Sequence, residues 1–157
     1  MPSYKKHVAQ AKHNRSLVAE LGANYSDWIV TVCFYSVLHM VETMIHECDH
    51  LRAPANPLPR FATQKTLVKI SGVKHSSELS ENYCRNGHEL RDCLIGDNLW
   101  YFKDVGRSCM ILRGISQSAR YDCQEIDGDD ADFARDKLFE AVKGFNAWAI
   151  PKSLETV

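Results

Sequence analysis

The sequence lacks paired cysteines. Its six cysteines lie far apart and none belongs to a C-x-x-C pair, the spacing that small zinc-binding domains use. The N-terminal lysines are followed by no apolar stretch of the kind found in a secretory signal. We therefore predict reduced thiols, a cytoplasmic protein and neither a metal nor another cofactor.

The chain also lacks an excess of either charge. Its 19 Lys and Arg residues nearly balance its 20 Asp and Glu residues, for a formal net charge of −1. No overall electric field then draws the protein to nucleic acid or to an anionic membrane, so RNA binding would require a local basic patch. The candidate patch lies on the first predicted helix, where an ordinary solvated surface is the alternative reading. Its residues are Lys5, Lys6, Lys12 and Arg15.

Common enzyme motifs are missing as well. The sequence has no G-x-S-x-G nucleophile motif and no glycine-rich phosphate loop, which argues against the hydrolases and nucleotide-binding enzymes that depend on them. One apolar run, Trp28 to Ile45, is long enough to cross a membrane, but His39 and Glu42 near its middle would be costly in lipid. We predict that this run is a buried helix of a soluble protein without a membrane partner.

Helical periodicity dominates what is present. Four segments carry apolar residues at helical spacing: 3–21, 26–48, 101–121 and a last one that follows the acidic loop 127–130 and ends near Ala149. A further helix is expected to start near Asn86 or His88. The prolines Pro54, Pro57 and Pro59 indicate a loop-rich insertion around 50–87. No segment alternates as a strand should. We predict an all-α protein, a single domain over residues 1–157, folded as an antiparallel bundle of four to five helices.

Short sequence blocks in a fixed order give the chain a resemblance to the bacterial HEPN-like proteins. They are HN (13–14), YSDWIVTVCFYSVLHMVE (25–42), HELR (88–91) and SQSARY (116–121). The resemblance implies a compact up-and-down helical bundle, often a homodimer, that acts in prokaryotic defence or toxin–antitoxin systems. It also implies RNA, or an antitoxin or defence-effector protein, as the partner.

Many HEPN relatives are metal-independent ribonucleases whose site has an arginine followed by a histidine four to six residues later on one helix. No arginine of this chain is followed by a histidine at that spacing, and His88 is its last histidine. The resemblance therefore predicts the fold and leaves two functions open. The chain is an RNA-binding protein or ribonuclease, or it is a catalytically silent helical module for protein–protein interaction or dimerisation.

The candidate catalytic residues come from two helices. His39 and Glu42 share one stripe of the second helix with Trp28, Tyr35 and His46, because residues three, four and seven apart lie on one helix face. His88 and Arg91, spaced by three, would lie side by side on another helix. An imidazole can transfer protons and a guanidinium can hold a phosphate. We predict one pocket containing His39, Glu42, His88 and Arg91.

Two other readings of the same stripe remain open. A histidine or glutamate inside an apolar helix often satisfies a polar partner within the core. A metal could also be held by His39, Glu42 and His46, with Cys48 and His50 at the end of the helix, although this is not a recognised zinc spacing. The large aromatics are expected to pack in the core: Trp28, Tyr35, Trp100 and Trp148.

Overall fold

Every regular element that the structure describes is helical. A computed structural model describes residues 4–47, 95–96, 98–121 and 125–157, and these ranges contain no β-strand. The helices are α1 (Tyr4–Glu20), α2 (Ser26–His46), α3 (Leu99–Tyr121) and α4 (Gly128–Ala149), with 3₁₀ turns at Ala23–Tyr25 and Ile150–Lys152. The all-α prediction is confirmed for these residues. The predicted insertion and the helix expected near Asn86 lie outside them.

The chain divides into two compact units. The larger one comprises Met1–Thr43 and Lys103–Val157, and the smaller one comprises Met44–Phe102. In the described part of the smaller unit, the Tyr101 hydroxyl donates a hydrogen bond to the carbonyl of Met44 at 3.0 Å, and Ile95 and Phe102 are fully buried. That the chain forms a single domain over 1–157 stays a prediction.

In the larger unit, α1 and α2 pack antiparallel. The Ser36 hydroxyl of α2 donates to the carbonyl of Ala11 in α1 at 2.9 Å, and His7, one turn earlier in α1, contacts His39, nearly one turn later in α2. The positions advance in opposite directions along the two helices, which defines the antiparallel pair. Ser36 and Ala11 are both completely buried, so small side chains let the two backbones approach closely.

Helix α2 is the most deeply buried helix of the described chain. The segment Ala23–His46 is long and apolar enough to cross a membrane by length and composition, with a mean hydropathy of 1.5 in its most apolar window, and 78% of that window is buried inside the structure. One such helix is weak evidence for a membrane span, because the core helix of a globular protein passes the same test. The predicted burial of α2 is confirmed.

The acidic loop 127–130 lies at the N-terminus of α4, as predicted, and the helix begins within that loop, at Gly128. Asp127 is the N-cap: its side chain accepts hydrogen bonds from the backbone N–H groups of Asp129 and Asp130 at 2.9 and 3.0 Å. The carboxylate of Asp130 in turn accepts from the N–H of Asp127 at 3.3 Å, which completes a capping box. At the other end the helix stops at Ala149, and Pro151 lies in the following 3₁₀ turn, as predicted.

Helix α3 contains a backbone break that the periodicity does not signal. Lys103 has φ 47° and ψ −126°, non-helical values inside the helix. Residues other than glycine rarely adopt a positive φ, and such a conformation costs of the order of 1–3 kcal/mol. The predicted helix over 101–121 is therefore confirmed in extent, with a kink in its second turn.

Candidate functional site

The imidazole of His39 contacts that of His7, a residue outside the predicted pocket. The Nδ1 atoms of the two imidazoles lie 3.0 Å apart, and the ring centroids are 5.3 Å apart with an interplanar angle of 38°. Both side chains are half-buried. This geometry is a hydrogen bond between two imidazoles that joins α1 to α2.

Helix packing explains why His7 reaches this position. His7, Ala11, Asn14 and Val18 recur at spacings of four and three along α1, which places them on one face, and the last three are buried. Spacing on α1 was the only sequence signal for His7. Without knowledge that this face meets α2 in an antiparallel arrangement, the signal does not identify His39 as the partner.

The hydrogen bond constrains where the two histidines carry their protons. One Nδ1 must donate and the other must accept. When both rings are neutral, the donor ring has its lone pair on Nε2, and the acceptor ring has its proton on Nε2. When both rings are neutral, the pair therefore has an Nε2 acceptor on one ring and an Nε2–H donor on the other.

Glu42 lies one turn beyond His39 on the same helix and is 8% exposed. A carboxylate at this depth requires polar partners, because burying an unpaired charge is costly. The other two members of the predicted pocket, His88 and Arg91, lie outside the described residues. The four-residue pocket thus stays a prediction, and the structure shows that His7 contacts one of its members, His39.

The predicted aromatic core is wrong at two positions. Trp28 is 59% exposed and Trp100 is 58% exposed, whereas Tyr35 and Trp148 are half-buried. Both exposed tryptophans lie within the first turns of their helices, α2 and α3. Few neighbouring residues cover a side chain there, so helical spacing alone overestimates burial.

The basic residues of α1 are accessible. Lys5, Lys6, Lys12 and Arg15 are all exposed. Lys12 forms an ion pair with Glu155 at 3.6 Å, in which both side chains are about half exposed. Surface pairs of this kind are worth little, commonly about 0–1 kcal/mol, so Lys12 remains able to exchange Glu155 for a phosphate.

A cleft elsewhere in the larger unit has the wrong charge for RNA. It has a volume of about 450 Å³, and its lining includes Asp27, Glu125 and Asp127. Three carboxylates repel phosphate groups, and one of them, Asp127, already caps α4. This cleft is therefore not a candidate for the predicted RNA-binding site.

No group of three or more His, Cys, Asp or Glu side chains in the described ranges is arranged to hold a metal ion. Cys48 and His50, which belong to the alternative metal reading, lie outside those ranges. Comparison of the chain with protein-family models, with curated proteins and with solved structures gives no match.

Proposed function

We propose that this chain is a HEPN-like helical bundle protein of a prokaryotic defence or toxin–antitoxin system, and that it binds and cleaves RNA without a metal ion. The observation that carries the proposal is the hydrogen bond between the imidazoles of His7 and His39. Cleavage of RNA through its 2′-hydroxyl requires one group that removes a proton and one that supplies a proton. The paired imidazoles meet that requirement within a single contact.

The reaction would be a transesterification at phosphorus, in which the 2′-oxygen replaces the 5′-oxygen. The neutral Nε2 of one histidine removes the proton of the 2′-hydroxyl, and the 2′-oxygen attacks the phosphorus. The P–O5′ bond breaks as the Nε2–H of the other histidine protonates the leaving oxygen. The proton shared by the two Nδ1 atoms moves to that second ring at the same time, so both imidazoles end neutral. The products are a 2′,3′-cyclic phosphate and a free 5′-hydroxyl, so atoms and charges balance without a cofactor.

The surrounding residues have supporting roles in this proposal. Lys5 and Lys6 precede His7 on α1 and are exposed, so they can attract the RNA backbone. Glu42, one turn from His39, can orient that imidazole. Arg91, with His88 three residues before it in the sequence, is the candidate for stabilising the charge that develops on phosphorus.

The test uses the full chain with a labelled single-stranded RNA in the presence of EDTA. We expect cleavage with cyclic phosphate ends, abolished in His39→Ala and in His7→Ala. The matched control is His13→Ala, because His13 is an exposed histidine of the same helix. Equal cleavage by all four proteins, or dependence on an added metal, would contradict the proposal.

The second candidate function is a catalytically silent module for protein–protein interaction or dimerisation. Exposed apolar side chains favour it: Phe139 is 69% exposed and Ile150 is 64% exposed. Large exposed apolar groups are candidates for contact with an antitoxin, an effector or a second copy. Absence of RNA binding together with a dimer in light scattering, lost in Phe139→Ser, would favour this function.

A further inference from the structure

A second cluster in the larger unit combines a guanidinium with two aromatic rings. The guanidinium carbon of Arg120, near the end of α3, lies 5.6 Å from the ring centroid of Tyr35 in α2 and 5.1 Å from that of Tyr121. Both distances are within the range of cation–π attraction, which is about 6 Å. The cation is therefore held against two π faces.

Hydrogen bonds fix the guanidinium in this position. Its Nε–H donates to the carbonyl of Ser116 at 3.1 Å, and Nη1 donates to the Tyr35 hydroxyl at 3.1 Å. An arginine has five N–H donors, so these contacts engage two of them. These contacts set the orientation of the planar group. The other three N–H groups donate to no acceptor among the described residues.

The charge of Arg120 is not neutralised within the described part of the chain. Arg107, on the same helix, pairs with Asp104 at 3.2 Å, and Arg135 pairs with Asp132 at 2.8 Å. No carboxylate among the described residues pairs with Arg120 in this way. Arg120 and Tyr121 are exposed, the latter by 69%, so a fixed cation and an aromatic face meet solvent side by side.

We propose that Tyr35, Arg120 and Tyr121 form a binding site for one nucleotide of single-stranded RNA. The exposed ring of Tyr121 offers a face on which an unpaired base stacks, and the remaining N–H groups of Arg120 donate to the adjacent phosphate. Base stacking tolerates any sequence and requires an unpaired strand. A phosphorylated protein would contact the arginine but would make no use of the exposed ring of Tyr121.

The position of the cluster relates it to the histidine pair. Tyr35 precedes His39 by four residues on α2, and residues at this spacing have Cβ atoms about 5–6 Å apart on one helix face. That distance is close to the length of one nucleotide along a strand. This inference rests on the proposed function, and it assigns to the cluster the nucleotide next to the cleaved bond.

The experiment measures binding of the full chain to a fluorescein-labelled oligoadenylate of 12 nucleotides, by anisotropy, with a 12-base-pair RNA duplex as the comparison. We expect tighter binding of the single strand, and an affinity lower by about 5- to 100-fold in Tyr121→Ala and Arg120→Lys. Tyr121→Phe keeps the ring and is expected to bind within about twofold of the wild type. The matched control is Arg107→Lys, an exposed arginine of the same helix, with the same expectation.

The outcomes separate this inference from the proposed function. If the wild type binds the single strand and both cluster variants bind as Arg107→Lys does, the cluster is not the site, while the proposed function stands. If the wild type binds neither RNA, the proposed function fails and this inference with it. Thermal melting of each variant checks folding. If Arg120→Lys is unfolded, the comparison of Tyr121→Ala with Tyr121→Phe still decides whether the cluster binds the strand.

Discussion

The hydrogen bond between His7 and His39 can be measured directly with a double-mutant cycle. The variants are His7→Ala, His39→Ala and the double substitution, studied at about pH 8, where an ordinary imidazole is neutral. A hydrogen bond in a folded protein contributes a net 0.5–1.5 kcal/mol, about 1 kcal/mol on average. Both rings are half-buried, so a histidine left without its partner regains some hydration and the full cost of burial does not apply.

We therefore expect each single substitution to lower the free energy of unfolding by about 1 kcal/mol plus the lost packing of the ring. The coupling energy of the cycle should be about 0.5–1.5 kcal/mol. For a chain of this size, about 1 kcal/mol corresponds to a fall in Tm of roughly 2–4 °C. Urea unfolding followed by circular dichroism gives the free energies, and His13→Ala serves as the control with no expected change.

Activity gives the cycle a second readout. If the two imidazoles act as one acid–base unit, removing the second one after the first costs little further activity, so the losses of cleavage rate are not additive. A coupling energy near zero would refute the hydrogen bond. A normal coupling energy with an unchanged cleavage rate would retain the contact as structural and remove it from the mechanism.

Three further predictions concern stability. Gly114→Ala in α3 should raise the free energy of unfolding in urea by about 1 kcal/mol, because a Cβ there meets nothing within 4 Å and alanine favours the helix. Gly144→Ala should raise it by less, because its Cβ would lie 3.4 Å from Val105. Ser153→Gly should raise Tm by a few degrees, because Ser153 has φ 56° and ψ 31° at a helix end where glycine is unstrained; a lower Tm would contradict the left-handed conformation. Burial raises the pKa of the Cys33 thiol from 9.0 to about 12, an increase that the charge of Arg135 partly opposes. The neutral thiol thus contributes stability that is fully present below pH 9.0 and is lost as pH rises toward 12. In Cys33→Ala the free energy of unfolding should fall less steeply above pH 9.0, by up to about 1.4 kcal/mol per pH unit, and parallel curves would contradict the raised pKa.

The features that the sequence predicted correctly are those set by local chemistry. The acidic loop 127–130 was predicted to lie at a helix N-terminus, and it does so through hydrogen bonds between Asp127 and Asp130, residues three apart. The extent and burial of α2 follow from its apolar residues on almost every side. Such features depend on neighbours in the chain, so one sequence is enough to find them.

The features that were missed depend on which helix faces which. The exposure of Trp28 and the partner of His39 follow from tertiary packing, and periodicity within one helix does not contain that information. The kink at Lys103 is a further case, because lysine favours a helix and nothing in its neighbourhood of the sequence marks a positive φ. For Trp28 and His39, packing beyond the local segment decides.

The position of the His7 and His39 pair bears on how the chain could act on RNA without the usual arginine–histidine spacing. In the HEPN pattern both groups belong to one helix, so the helix itself sets their separation. Here the two imidazoles come from different helices. Their separation is set by the antiparallel packing of α1 on α2, through the contact of Ser36 with Ala11 one turn away. Replacing Ala11 with a larger residue would separate the helices and lengthen the distance between the imidazoles. The proposed chemistry therefore depends on a small buried residue that supplies none of the reacting groups. Sequence motifs centred on the reactive groups do not include it.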